Sequence, residues 1–92
     1  MCRICQNSFD HEILDISNCY KVETIPELIN TKILTLNGNK NITELPESKG
    51  LQILRLYFLK NPITIPDYKN LIEIKIINVN ISYLPNDLNN II

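Results

Sequence analysis

Cys2, Cys5, His11 and Cys19 bring together the ligand types of a three-cysteine, one-histidine zinc site. Thiolates and a neutral imidazole suit tetrahedral zinc. The spacing does not continue as a zinc knuckle would: five residues separate Cys5 from His11, and seven separate His11 from Cys19. No second Cys/His pair follows, so ligand count excludes a domain built on two zinc ions. His11 and Cys19 also fall at structural positions of the repeat described below. A Cys2–Cys5 redox pair is a further alternative, but it lacks the βαβ context such pairs use. The preferred reading makes residues 1–12 a structural cap with reduced thiols and assigns the chain no metal and no cofactor.

No catalytic set stands out elsewhere. His11 is the single histidine, and no nucleophile motif accompanies it. Gly38 and Gly50 are the only glycines, which rules out a glycine-rich phosphate loop. Glu23, Glu27, Glu44 and Glu47 fall near predicted turns, where solvation is their ordinary role. The chain is expected not to be an enzyme. Nine basic and ten acidic residues, with no long run of either sign, argue against nucleic-acid and membrane-surface partners. No apolar stretch is long enough to span a bilayer, and the opening Met1-Cys2-Arg3-Ile4-Cys5 lacks the apolar core of a signal peptide. An intracellular, cytoplasmic protein is expected.

The elements that must position any site announce themselves by period. Leu14/Ile16/Cys19, Leu34/Leu36/Asn39, Leu54/Leu56/Leu59 and Ile74/Ile76/Val79 recur every 20 residues. Ile25-Pro26, Leu45-Pro46, Ile65-Pro66 and Leu84-Pro85 follow at the same place in each unit, one residue early in the last. This register predicts a solenoid of four repeats, 13–32, 33–52, 53–72 and 73–92. Alternation within each triplet predicts a short strand with one buried face, and the stack predicts a concave parallel sheet of about four or five strands. The recurring prolines oppose a helix on the return path, which should be extended or 3₁₀. Asn39 and Cys19 suit bonding to buried loop backbone. Leu59 and Val79 do not, so the hydrogen-bonded ladder and the regularity of the turns should lapse in the second half. Pro62 should add a break in the third loop.

The run Leu14-Asp15-Ile16-Ser17-Asn18-Cys19 with Ile25-Pro26 resembles the leucine-rich repeats of plant intracellular immune receptors. The 20-residue step with Leu-Pro or Ile-Pro is also similar to the short repeats of bacterial effectors and to small repeat proteins of giant viruses. The wealth of Ile, Asn and Lys, with no Trp, fits the last group best; a viral protein would act in its host's cytoplasm. The resemblance covers roughly residues 11–92. It implies a protein-binding leucine-rich-repeat scaffold and carries over no catalytic residue. Cys2-Arg3-Ile4-Cys5 resembles the opening of RING-type zinc domains, which implies an alternative: an adaptor in ubiquitin transfer with a zinc-binding N-terminus.

Outward strand positions form columns across the expected concave face: Asp15, Thr35, Arg55, Lys75, then Ser17, Asn37, Tyr57, Ile77, with Asn18, Gly38, Phe58, Asn78 and Tyr20, Lys40, Lys60, Asn80 beside them. Tyr20, Arg55, Tyr57, Phe58, Lys75 and Ile77 are the candidate binding residues for a protein partner, since aromatic and arginine side chains dominate interface energetics. Ile91-Ile92 falls where a fifth repeat would begin, so a self-associating repeat protein, dimerising through the C-terminal end, is the remaining alternative.

Overall fold

The computed structural model describes residues 11–17, 19 and 22–83. Its chain forms β1 (Ile13–Asp15), β2 (Ile33–Asn37), β3 (Ile53–Tyr57), β4 (Ile63–Thr64), β5 (Glu73–Ile77) and β6 (Ile81–Tyr83). The result is a short parallel β-solenoid without helix among the described residues. The main sheet has the order β1-β2-β3-β5, and β4 pairs with β6 in a second, two-stranded sheet. Every pairing in the main sheet is parallel and advances by the predicted 20 residues, as in Leu34↔Leu54 and Leu54↔Ile74. Its four strands meet the expected number.

Burial explains why this register wins. Leu14, Leu34, Leu54, Ile16, Leu36 and Leu56 are all fully buried, and each such aliphatic side chain contributes about 1.5–3 kcal/mol relative to exposure. A slip of one residue would turn the whole set outward. Ile74 and Ile76 keep the same orientation but are only half-buried against the core. Among the described residues, β5 pairs on one side only.

The return path is extended, punctuated by isolated parallel bridges at Leu28↔Ser48 and Glu44↔Thr64. No 3₁₀ helix occurs among the described residues, and a single turn closes where the Leu71 amide donates to the Tyr68 carbonyl. Pro62 does not break the third loop as expected. Val22 and Ile42 are buried at the corresponding place in the earlier turns, whereas Pro62 is exposed and Ile63 is buried instead. The inward position has moved on by one residue. Ile63 and Ile65 then alternate inward, so β4 forms directly after the proline, and the Ile63 N–H donates to the Asn80 carbonyl at 2.8 Å. The pairing Ile63↔Ile81, Thr64↔Tyr83 carries a register irregularity.

Two expectations about the turns are corrected. The turn after each strand stays regular in the second half, because it is set by a left-handed residue and not by the third member of the triplet. Gly38, Phe58 and Asn78 all have positive φ, at 71°, 52° and 53°. The amides of Gly38 and Phe58 make equivalent bonds to the carbonyls of Tyr57 and Ile77 in the next turn. Bonding from side chains to loop carbonyls also continues. Asn39 is fully buried, and its Nδ2 donates to the carbonyls of Ile16 at 2.7 Å and Cys19 at 3.1 Å. Leu59 is buried and apolar as expected, but Asn61 reaches the carbonyls of Lys40 and Ile42 at 2.8 and 3.2 Å. The task has shifted two residues along the chain.

Other side chains tie successive turns together. Buried Thr31 donates to the His11 carbonyl at 2.6 Å, and Asn70 donates to the Lys49 carbonyl at 2.6 Å. In the column Leu28, Ser48, Tyr68, the small Ser48 separates two large residues, and its hydroxyl is buried without a hydrogen-bond partner. The Tyr68 hydroxyl donates to the Pro46 carbonyl at 2.6 Å.

Tyr68 gives the fold an alkaline limit. Burial first, and the nearby Glu47 carboxylate second, push its phenol well above the ordinary value near 10. Between those two values the unfolded chain releases a proton that the folded chain keeps. Stability is therefore fully present below pH 10 and declines above it, by about 1.4 kcal/mol per pH unit. Thermal unfolding from pH 9 to 11.5 is expected to lose more for the wild type than for Tyr68→Phe; parallel curves would contradict this account.

Candidate functional site

The outer face of the main sheet carries the candidate binding residues in the predicted columns. Asp15, Thr35, Arg55 and Lys75 are aligned by direct cross-strand pairing, as are Asn37, Tyr57 and Ile77. Arg55 and Tyr57 are half-buried by their neighbours, Lys75 is exposed, and Ile77 and Phe58 expose 41% and 55% of their surface. Phe58 projects from the turn that follows β3. Tyr20 lies outside the described residues.

One apolar column went unremarked in the sequence. Ile13, Ile33 and Ile53 pair side by side at the start of their strands and share the outward parity of Asp15, Thr35 and Arg55. Ile13 is 59% exposed, and Ile33 and Ile53 are half-buried. The signal was available: three isoleucines at the 20-residue step, two residues before the polar column. The central polar column is thus flanked by Ile13, Ile33 and Ile53 on one side, with Glu73 next in line on β5, and over β3 and β5 by Tyr57 and Ile77 on the other.

The face is electrostatically uneven. Asp15 stands on β1 and accepts hydrogen bonds from the Ser17 amide and hydroxyl. Arg55 and Lys75 stand opposite each other on β3 and β5. The ion pair found among the described residues, Lys69 with Asp67 at 2.7 Å, lies elsewhere and is largely exposed, so it adds little to stability. It borders an open cleft of about 450 Å³ on the return path, lined by Glu27, Glu47, Ser48, Lys49, Pro66 and Tyr68 among others. The charges there are of both signs.

Cys2 and Cys5 lie outside the described residues, so only His11 and Cys19 of the zinc set can be placed. His11 is exposed at the start of the first turn. Cys19 is buried and its sulfur is engaged in a disulfide. This corrects the expectation of a reduced thiol at Cys19. Among the described residues no three His, Cys, Asp or Glu side chains are grouped to hold a metal ion, and no helix is long and apolar enough to cross a membrane.

The fold and its face define a class, the short repeat solenoid with one exposed strand surface. Comparison with protein-family models, with curated proteins and with solved structures gave no match to this chain.

Proposed function

We propose that this chain is a leucine-rich-repeat scaffold without catalytic activity, and that it recognises a protein partner through the strand face around Arg55, Tyr57, Phe58, Lys75 and Ile77. The observation that carries this reading is Phe58. Its φ of 52° lies in the left-handed region, where an L side chain costs roughly 1 kcal/mol. Gly38 and Asn78, residue types better suited to that conformation, occupy the equivalent turns. Exposure of more than half of the residue's surface leaves little burial to offset the strain. An exposed aromatic kept at a strained position is what a recognition surface requires and a stability-optimised turn would discard.

Phe58→Gly is expected to leave stability unchanged or raise it by up to about 1 kcal/mol, since relief of the positive φ opposes the freedom glycine adds to the unfolded chain. The same variant is expected to lose proteins that the wild type captures from extracts of expressing cells. Capture of an identical set by both would remove Phe58 from the recognition surface.

A second reading, self-association through the C-terminal end, draws support from the half-burial of Ile74, Ile76, Val79 and Ile81, at the last described turn of the stack. Sedimentation over a range of concentrations separates a monomer–dimer equilibrium from a fixed monomer. The ubiquitin-adaptor alternative is tested by the metal content of the purified protein, which a plain repeat scaffold would leave free of zinc.

Compartment turns on the same sulfur. Cytoplasmic reductants keep thiols reduced, whereas a buried disulfide goes with an oxidising environment. With three cysteines in the chain and Cys19 in a disulfide, thiol titration in denaturant is expected to find fewer thiols before reduction than the three found after. Three at the outset would remove the disulfide and favour the cytoplasmic assignment.

A further inference from the structure

We propose that the strand face recognises an extended protein segment of the form apolar-x-acid-x-apolar, with its carboxylate seated between Arg55 and Lys75. The inference rests on the scaffold function above and gives its partner a chemistry.

Arg55 and Lys75 are direct cross-strand neighbours on β3 and β5, with backbones about 4.8 Å apart. Like charges in that relation repel. Neither side chain makes an ion pair or a hydrogen bond among the described residues; the salt bridge there belongs to Lys69 and Asp67. The acids sharing the face do not neutralise them. Asp15 is two strands from Arg55 and is bonded to Ser17. Glu73, two residues before Lys75 on β5, forms no ion pair with either cation. A single carboxylate supplied from outside would relieve the repulsion and accept from both donors at once.

The flanks set the rest of the motif. Along β3, Ile53 precedes Arg55 by two residues and Tyr57 follows by two, all with outward parity. Ile77 stands beside Tyr57 across the sheet, and Phe58 adjoins it. An extended segment lying along the strands presents every second side chain to the sheet, at steps of about 6.6 Å. Its acid then meets the cations while its apolar residues two positions away meet Ile53 on one side and Tyr57 with Ile77 on the other. The pattern is symmetric about the acid, so either chain direction satisfies it.

The test is to pan a display library of random nonapeptides against the purified full chain, with the Arg55→Ala/Lys75→Ala double variant in parallel. Enriched sequences are expected to share Asp or Glu flanked at both second neighbours by aliphatic or aromatic residues. A synthetic consensus nonapeptide, followed by fluorescence anisotropy, should bind about tenfold or more weakly when its acid is replaced by the amide, and equally so to the double variant. Raising the salt should weaken the parent peptide and leave the amide form almost unchanged. Peptides lost with Tyr57→Ala but lacking an acid would overturn this proposal and leave the scaffold function standing. Absence of any enriched peptide, or equal binding to the double variant, would also overturn it. So would a wild-type dimer that the double variant converts to monomer, since the face would then be covered by a second copy.

Discussion

Leu56→Ala should lose about 2–5 kcal/mol of stability, the range for emptying a fully buried leucine site. Leu56 has no exposed surface and lies directly between Leu36 and Ile76 in the ladder. Its removal opens a hole between turns. A small domain holds only about 5–15 kcal/mol in reserve, so the variant is expected to unfold at a clearly lower urea concentration and temperature than the wild type. Thr35→Ala on the outward column is the control and should shift the urea midpoint little. Similar losses at both positions would mean that inward and outward have been exchanged.

Asn39→Ala should be nearly as damaging, at about 3 kcal/mol, although it removes no apolar packing to speak of. The side chain answers three backbone groups: its Oδ1 accepts from the Asn37 amide at 2.9 Å, and its Nδ2 donates to the carbonyls of Ile16 and Cys19. Alanine supplies none of these bonds, and each buried group left unanswered costs roughly 1–3 kcal/mol. Asn39→Asp distinguishes bonding from size: the aspartate can still accept from Asn37 but turns an oxygen toward two carbonyl oxygens, so it should fail too. Denaturant unfolding of the three chains would decide, and a stable Asn39→Asp would assign the effect to shape alone.

How far the sequence reached depends on which interactions are periodic. Burial of Leu14, Leu34 and Leu54 repeats every turn, so the 20-residue spacing alone yields strand register and the face carrying Arg55 and Tyr57. Asn39 was legible for the same reason. What escaped depends on single substitutions within the frame. Pro62 hands its inward position to Ile63, and that exchange creates β4, which no period foretells. The strain at Phe58 was hidden because side-chain type does not reveal φ; alignment with Gly38 one turn earlier and Asn78 one turn later could have suggested it. The outward stripe of Ile13, Ile33 and Ile53 was hidden by expectation, since isoleucine reads as core until strand parity assigns it to the surface.

Thr31, Asn39, Asn61, Tyr68 and Asn70 donate to carbonyls of the turn before their own. These bonds give the stack an arrow. A turn leaving the ribosome presents carbonyls whose side-chain donors have not yet been synthesised, and it is finished only when the next 20 residues arrive. The backbone bonds between turns run both ways, so the direction lies in the side chains alone. A chain cut after residue 30 would lack the donors Thr31 and Asn39 and leave the carbonyls of His11, Ile16 and Cys19 to water.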